Sequence, residues 1–167
     1  MVSIRRAVAS DAQRLGTLGA MLMRTHYAFD PQRFLAAGAQ AAQGYANFLE
    51  SQLDDEESVV FVAERDMRII GYVYAGLEPM SWKELRGPAA FIHDVMIDEE
   101  AQGSGAGTAL IDAAIAWARE RGAILDKTFS DGAVRHILFD PATAATFAEA
   151  PPRDAVKSDI TLELPAK

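Results

Sequence analysis

The chain reads as an α/β protein of the α+β kind, with six to seven strands flanked by helices. Three observations predict this. Ser58-Val59-Val60-Phe61-Val62-Ala63-Glu64 is β-branched and apolar, hence a buried strand, and Ile69 to Leu77 returns as its hairpin partner across a turn at Arg65-Asp66. Leu15, Leu18 and Leu22 recur at helical spacing. Asp94 to Ile97 ends an apolar strand that breaks into a polar turn with three alternate glycines, Gly103, Gly105 and Gly107, and then into a helix.

The elements follow in order. Val2 to Val8 is a short strand, and Ser10 or Asp11 caps a helix running to about Arg24. Thr25 to Pro31 breaks it, and a second helix spans Pro31 to Gln52, interrupted by Gly38 and Gly44. Asp54-Asp55-Glu56-Glu57 is a solvated connection to the hairpin. Glu78 to Pro88 is a loop containing Trp82, and Ala89 to Ile97 is the strand before the glycines. Thr108 to Arg121 is amphipathic, with Leu110, Ile111, Ala114, Ile115 and Ala118 inside and Asp112, Arg119 and Glu120 outside; Gly122 ends it. Beyond it lie a strand from Ile124 to Phe129, a short helix from Gly132 to Phe139 capped by Asp131, and strands at Thr143 to Ala148 and Val156 to Leu164.

Composition narrows the function classes. A chain of 167 residues, half of them hydrophobic (50%) and 24% charged, is expected to form one domain over residues 1–167 with a full core. No apolar run approaches a membrane span and the first residues lack a secretory apolar region, so a cytoplasmic location without membrane contact is expected. The absence of Cys removes disulfides, thiolate metal ligands and a cysteine nucleophile. His26, His93 and His136 show no metal-ligand spacing, so no metal is expected. A net charge of −8 repels a polyphosphate backbone, which disfavours nucleic acid and suits a cationic amine; it also simply keeps a protein soluble.

The glycine turn carries the most specific chemistry. Backbone N–H groups and the positive end of the following helix converge there, and glycine lets an anion approach the main chain without a Cβ in the way. A phosphate or pyrophosphate is the expected ligand. No Lys follows the glycines, which excludes a Walker loop, and Thr108 stands where a dinucleotide fingerprint needs its third glycine.

What the turn does match is Gln/Arg-x-x-Gly-x-Gly/Ala, here Gln102-Gly103-Ser104-Gly105-Ala106-Gly107, after a strand ending Val95-Met96-Ile97 and before a helix. With Ser3-Ile4-Arg5-Arg6-Ala7 followed at once by the Ser10-Asp11-Ala12 helix start, the first three quarters of the chain resemble the GCN5-related N-acetyltransferase (GNAT) superfamily. The resemblance implies an acyl-CoA N-acyltransferase-like fold whose central sheet is mixed, mostly antiparallel and twisted. It also implies acetyl-CoA as cosubstrate, with the pyrophosphate held by Gln102, Gly103, Ser104, Gly105, Ala106, Gly107 and Thr108 and the pantetheine arm facing Val95, Met96 and Ile97. Residues 122–167 depart from the family pattern: Asp131 replaces the usual Asn, and Asp140 stands where a Tyr commonly protonates the leaving thiolate.

The implied reaction is acetyl transfer to a primary amine by direct attack in a ternary complex, which needs no covalent intermediate. The Val95 N–H is placed to polarise the thioester carbonyl. His93-Asp94 aligns with the family's Glu-Asp, so His93 is the expected base and Asp94 the alternative; strand alternation puts them on opposite faces. His26 and Tyr27 at the first break, with Tyr72, Tyr74 and Glu78 around the hairpin's second strand, are the expected acceptor contacts. The acceptor would be a small-molecule amine or a peptide N-terminus, and the resemblance makes a homodimer reasonable. Two other readings stay open: a non-catalytic acyl-CoA-binding regulatory module, and a nucleotide-phosphate binder on an unrelated α/β fold.

Overall fold

A computed structural model describes residues 1–83, 85, 87–122 and the strand at 137–138. In chain order the elements are β1 (Ser3–Arg6), α1 (Ala12–Phe29), α2 (Ala41–Ser51), β2 (Ser58–Arg65), β3 (Arg68–Glu78), β4 (Ala89–Ile97), α3 (Ala106–Arg119) and β5 (Ile137–Leu138). The five strands lie in sequence order in one sheet, and every neighbouring pair is antiparallel. The expected strands at 124–129, 143–148 and 156–164 lie outside the described residues, so the sheet is seen here with five strands rather than six or seven.

The sheet separates two cores. On one face α3 sets Leu110, Ala114, Trp117 and Ala118 against Val59, Ala63, Val73 and Ala75. On the other, α1 and α2 set Leu15, Leu18, Leu22 and Leu49 against Val60, Val62, Tyr72 and Met96. Leu15, Leu18 and Leu110 are fully buried, and truncating any one to Ala costs about 2–5 kcal/mol. Ile111 and Ile115, expected inside with Leu110, are only half-buried, and the aromatic Trp117 takes the central place instead.

Several boundaries differ from expectation. Helix α1 does not stop at Arg24. It continues through Thr25, whose hydroxyl donates to the Met21 carbonyl, to Phe29. The stop comes at Asp30, which is extended ahead of Pro31 because a residue before proline is driven from helical geometry. Nor does the second helix begin at Pro31. The Asp30 carboxylate accepts the N–H groups of Gln32 and Arg33, folding this stretch into a turn, and α2 starts only at Ala41. The hairpin turns on Asp66-Met67, both with positive φ (52° and 62°), one residue later than expected. Residues 137–138, expected within a helix, form β5 against Ala89 and Ala90, where pairing satisfies the edge of β4.

Candidate functional site

β4 carries the centre of the site and is not a regular strand. Tyr74 pairs with Asp94 and Ala75 with Ile92, so His93 is an extra residue with nothing opposite it. This β-bulge re-aims a side chain that regular alternation would send to the other face. Both residues consequently serve the α1/α2 face. The Asp94 carboxylate reaches the Tyr72 and Tyr45 hydroxyls, and the His93 ring stacks on Tyr74 at 4.9 Å. The expected opposition of His93 and Asp94 is therefore corrected.

Asp94 Oδ2 accepts the Tyr45 hydroxyl at 2.8 Å and the Tyr72 hydroxyl at 3.4 Å. Tyr45 comes from α2, and its position depends on α1. A Cβ on Gly19 would stand 2.1 Å from Tyr45 Cδ1, so only glycine lets that ring lie against α1. Burial, then the hydrogen bond to Asp94, pushes the Tyr45 phenol well above its usual range; burial and the Asp94 charge do the same for Tyr72. Both therefore remain donors at any physiological pH.

Rings continue from this point across the sheet. Phe48 meets Tyr45 and Tyr74 edge-on at 6.1 and 5.5 Å, and the Tyr74 hydroxyl donates to Gln52 Oε1 at 2.9 Å. His93 lies between Tyr74 and Phe91, with Nε2 3.6 Å from Glu78 Oε1. The outcome is a partly open wall of aromatic edges holding an imidazole and two carboxylates.

Where β4 ends, the chain changes character. Asp98 is buried and paired with Arg14 of α1 and Arg68 of β3, while its N–H donates to the Ile70 carbonyl. Burial alone would raise its carboxyl, but the Arg14 hydrogen bond and the Arg14 and Arg68 charges outweigh that and hold it low. A single 3-10 turn, Glu99–Ala101, leads from this clamp into the glycines. Gly103 and Gly105 have φ of 76° and 82°, the left-handed region that favours glycine, and open space surrounds both Cα atoms. The N–H groups of Gln102 and Ser104 donate back to Glu99 and Ala101; among the described residues those of Gly103, Gly105, Ala106, Gly107 and Thr108 have no acceptor. Buried Ala101 and Ala106 anchor the exposed turn at both ends.

β5 pairs with Ala89 and Ala90, and from Ile92 to Ile97 the outer edge of β4 has no strand partner among the described residues. That edge leads directly to the unpaired amides at the head of α3. A family model described as acetyltransferase (GNAT) family matches residues 17–136. The chain belongs to the GNAT acetyltransferase family. YhfO, an uncharacterized N-acetyltransferase of Bacillus subtilis (strain 168), is 29% identical over 124 residues, covering 73% of this chain and 74% of that protein. An acetyltransferase from Vibrio fischeri shares the fold with a TM-score of 0.57 at 24% identity, over 72% of this chain and 88% of its own. A predicted acetyltransferase with acetyl-CoA from Clostridium acetobutylicum shares it with a TM-score of 0.56 at 16% identity, over 98% and 96%.

Within this GNAT frame the residues singled out from sequence divide into four groups. His93, Asp94, Tyr72, Tyr74 and Glu78 come together as described, although Tyr72 is fully buried, with its hydroxyl against Asp94 and Tyr45. Gln102 to Thr108 form the turn, with two of their amides already used. Val95 and Ile97 pack on the α3 side and Met96 on the α1/α2 side, so a ligand along β4 would meet backbone rather than three aligned side chains. His26 and Tyr27 are set apart: they ride on the last turns of α1, where His26 lies against Phe34 at 4.7 Å. Tyr45, Phe48 and Gln52 were missed, though their helical spacing places them on one face. Among the described residues no helix is long and apolar enough to cross a membrane, and no group of three or more His, Asp or Glu could hold a metal ion.

Proposed function

We propose that this protein is an acetyl-CoA-dependent N-acetyltransferase acting on a primary amine by direct attack in a ternary complex. One observation carries the reading: five amides that have no acceptor among the described residues stand at the head of α3, beside the edge of β4 from Ile92 to Ile97, which has no strand partner among them and bears a bulged histidine. The amides of Gly103, Gly105, Ala106, Gly107 and Thr108 suit a pyrophosphate, strengthened by the α3 dipole. Gln102 and Ser104 contribute by shaping the turn. Pantetheine amides fit the β4 edge as an added strand would.

Bound acetyl-CoA supplies the thioester. His93 takes the proton from the amine as the nitrogen–carbon bond forms, and the carbon–sulfur bond breaks to release the thiolate. The Val95 N–H polarises the carbonyl oxygen. Glu78 Oε1, 3.6 Å from His93 Nε2, helps to hold the imidazole in position. Asp94 is poorly suited to the same task, since its Oδ2 already accepts the Tyr45 and Tyr72 hydroxyls.

Thiol release from acetyl-CoA across a panel of primary amines tests this. Steady release that depends on the amine is expected. Thermal stabilisation by acetyl-CoA without release for any amine would instead identify an acyl-CoA-binding module. Protection by ATP but not by CoA would overturn both.

A further inference from the structure

Asp94 differs from the ion-paired carboxylates of this fold. Asp11 is paired with Arg5, Glu64 with Arg5, and Asp98 with Arg14 and Arg68. Asp94 is half-buried, yet no Lys, Arg or His among the described residues pairs with it. Its Oδ2 takes both tyrosine hydroxyls, and its Oδ1 has no partner among the described residues. A partly desolvated carboxylate without a cation is costly unless something arrives to neutralise it. Tyr45, Phe48 and Tyr74 place aromatic rings in the same region, and Phe48 is open to solvent at 43% exposure. Aromatic faces and an unpaired carboxylate together suit an organic cation.

We infer that Asp94, framed by Tyr45, Phe48 and Tyr74, binds a protonated ammonium or guanidinium group of the acceptor, distinct from the nitrogen that is acetylated. The separation follows from acid–base logic. A reacting amine must lose a proton, and a carboxylate beside it would raise its pKa and hold the proton on. The bulge resolves this by placing two unlike groups on one face: His93 to accept a proton and Asp94 to hold a charge that never leaves. The acceptor is then a small molecule with two basic nitrogens, of the diamine or aminoalkylguanidine class. This rests on the acetyltransferase reading given above.

The test uses the full chain with diaminobutane, aminobutylguanidine and aminobutanol, the last carrying a neutral hydroxyl in place of the second cation. Calorimetric titration without acetyl-CoA gives affinity, and thiol release gives kcat/KM. Both cations are expected to exceed aminobutanol by about tenfold or more, the scale of one charge-assisted hydrogen bond. In Asp94→Asn that ratio should collapse towards one, and in Tyr45→Phe it should fall part of the way. Equal affinity for cations and aminobutanol in the unaltered protein overturns the inference, whether or not Asp94→Asn folds. A ratio unchanged in folded Asp94→Asn also overturns it. Cation binding that depends on Asp94 without any thiol release would retain the site and discard the acetyltransferase reading.

Discussion

His93 and Gly105 are the two positions where one side chain decides the chemistry. His93→Ala is expected to lower kcat about a hundredfold, the scale of a general base, while leaving acetyl-CoA affinity near its original value. Pre-steady-state thiol release with a separate CoA titration measures the two apart; an unaltered pH–rate profile would remove His93 from the mechanism. Glu78→Gln, which leaves the His93 ring in place, should lower kcat less than His93→Ala does. Gly105→Asp should abolish CoA binding. It forces a side chain into a backbone with φ of 82° and adds a negative charge where phosphate would lie. Calorimetry on the folded variant checks this, and retained affinity would discredit the turn as the anion site.

Elements matter here for what they hold in place. The Arg14–Asp98 pair joins α1 to the turn that presents the free amides, and Arg14 Nε also donates to the Ile69 carbonyl. Arg14→Met should raise KM for acetyl-CoA several-fold with little change in kcat, and destabilise by roughly 1–2 kcal/mol. A fall in kcat with unchanged KM would show that the clamp does not position the turn. The close α1–α2 crossing is the counterpart on the acceptor side. Gly19→Ala places a Cβ inside the Tyr45 ring, so the ring must move from Asp94. Cation selectivity should fall in this variant more than acetyl-CoA affinity does.

Stability of the whole molecule should narrow at both ends of the pH scale. The Arg5 hydrogen bond, opposed by burial and aided by the Val8 N–H, holds the Asp11 carboxyl low, and Asp98 is held low as described above. Groups with depressed folded values stabilise above the ordinary carboxylate pKa of about 4, and that contribution is lost as pH falls below it. Tyr45 and Tyr72 act in the opposite sense. Their raised folded values stabilise below the ordinary phenol pKa of about 10, and the contribution disappears as pH rises past it. Thermal melts across pH should show both limbs, with Asp98→Asn flattening the acid one and Tyr72→Phe the alkaline one. A flat Tm above pH 10 in the unaltered protein would contradict the tyrosine assignment.

Local signals made much of this molecule readable in advance. Helical leucine spacing, the β-branched hairpin and the Gln102 to Gly107 pattern depend on near neighbours in the chain, and strand β4 was placed with the right limits. What depends on partners distant in sequence was not readable. The bulge at His93 exists only through its register with β3, so alternation alone sets His93 and Asp94 on opposite faces. Tyr45 lies 49 positions from the carboxylate it serves, so nothing local linked the two. Helix limits at Phe29 and Ala41 were set by side-chain capture at Asp30 and by packing, not by propensity. Backbone chemistry thus specified the glycine turn, whereas the pairing of strands and the crossing of α1 with α2 decided which groups share the α1/α2 face of the sheet.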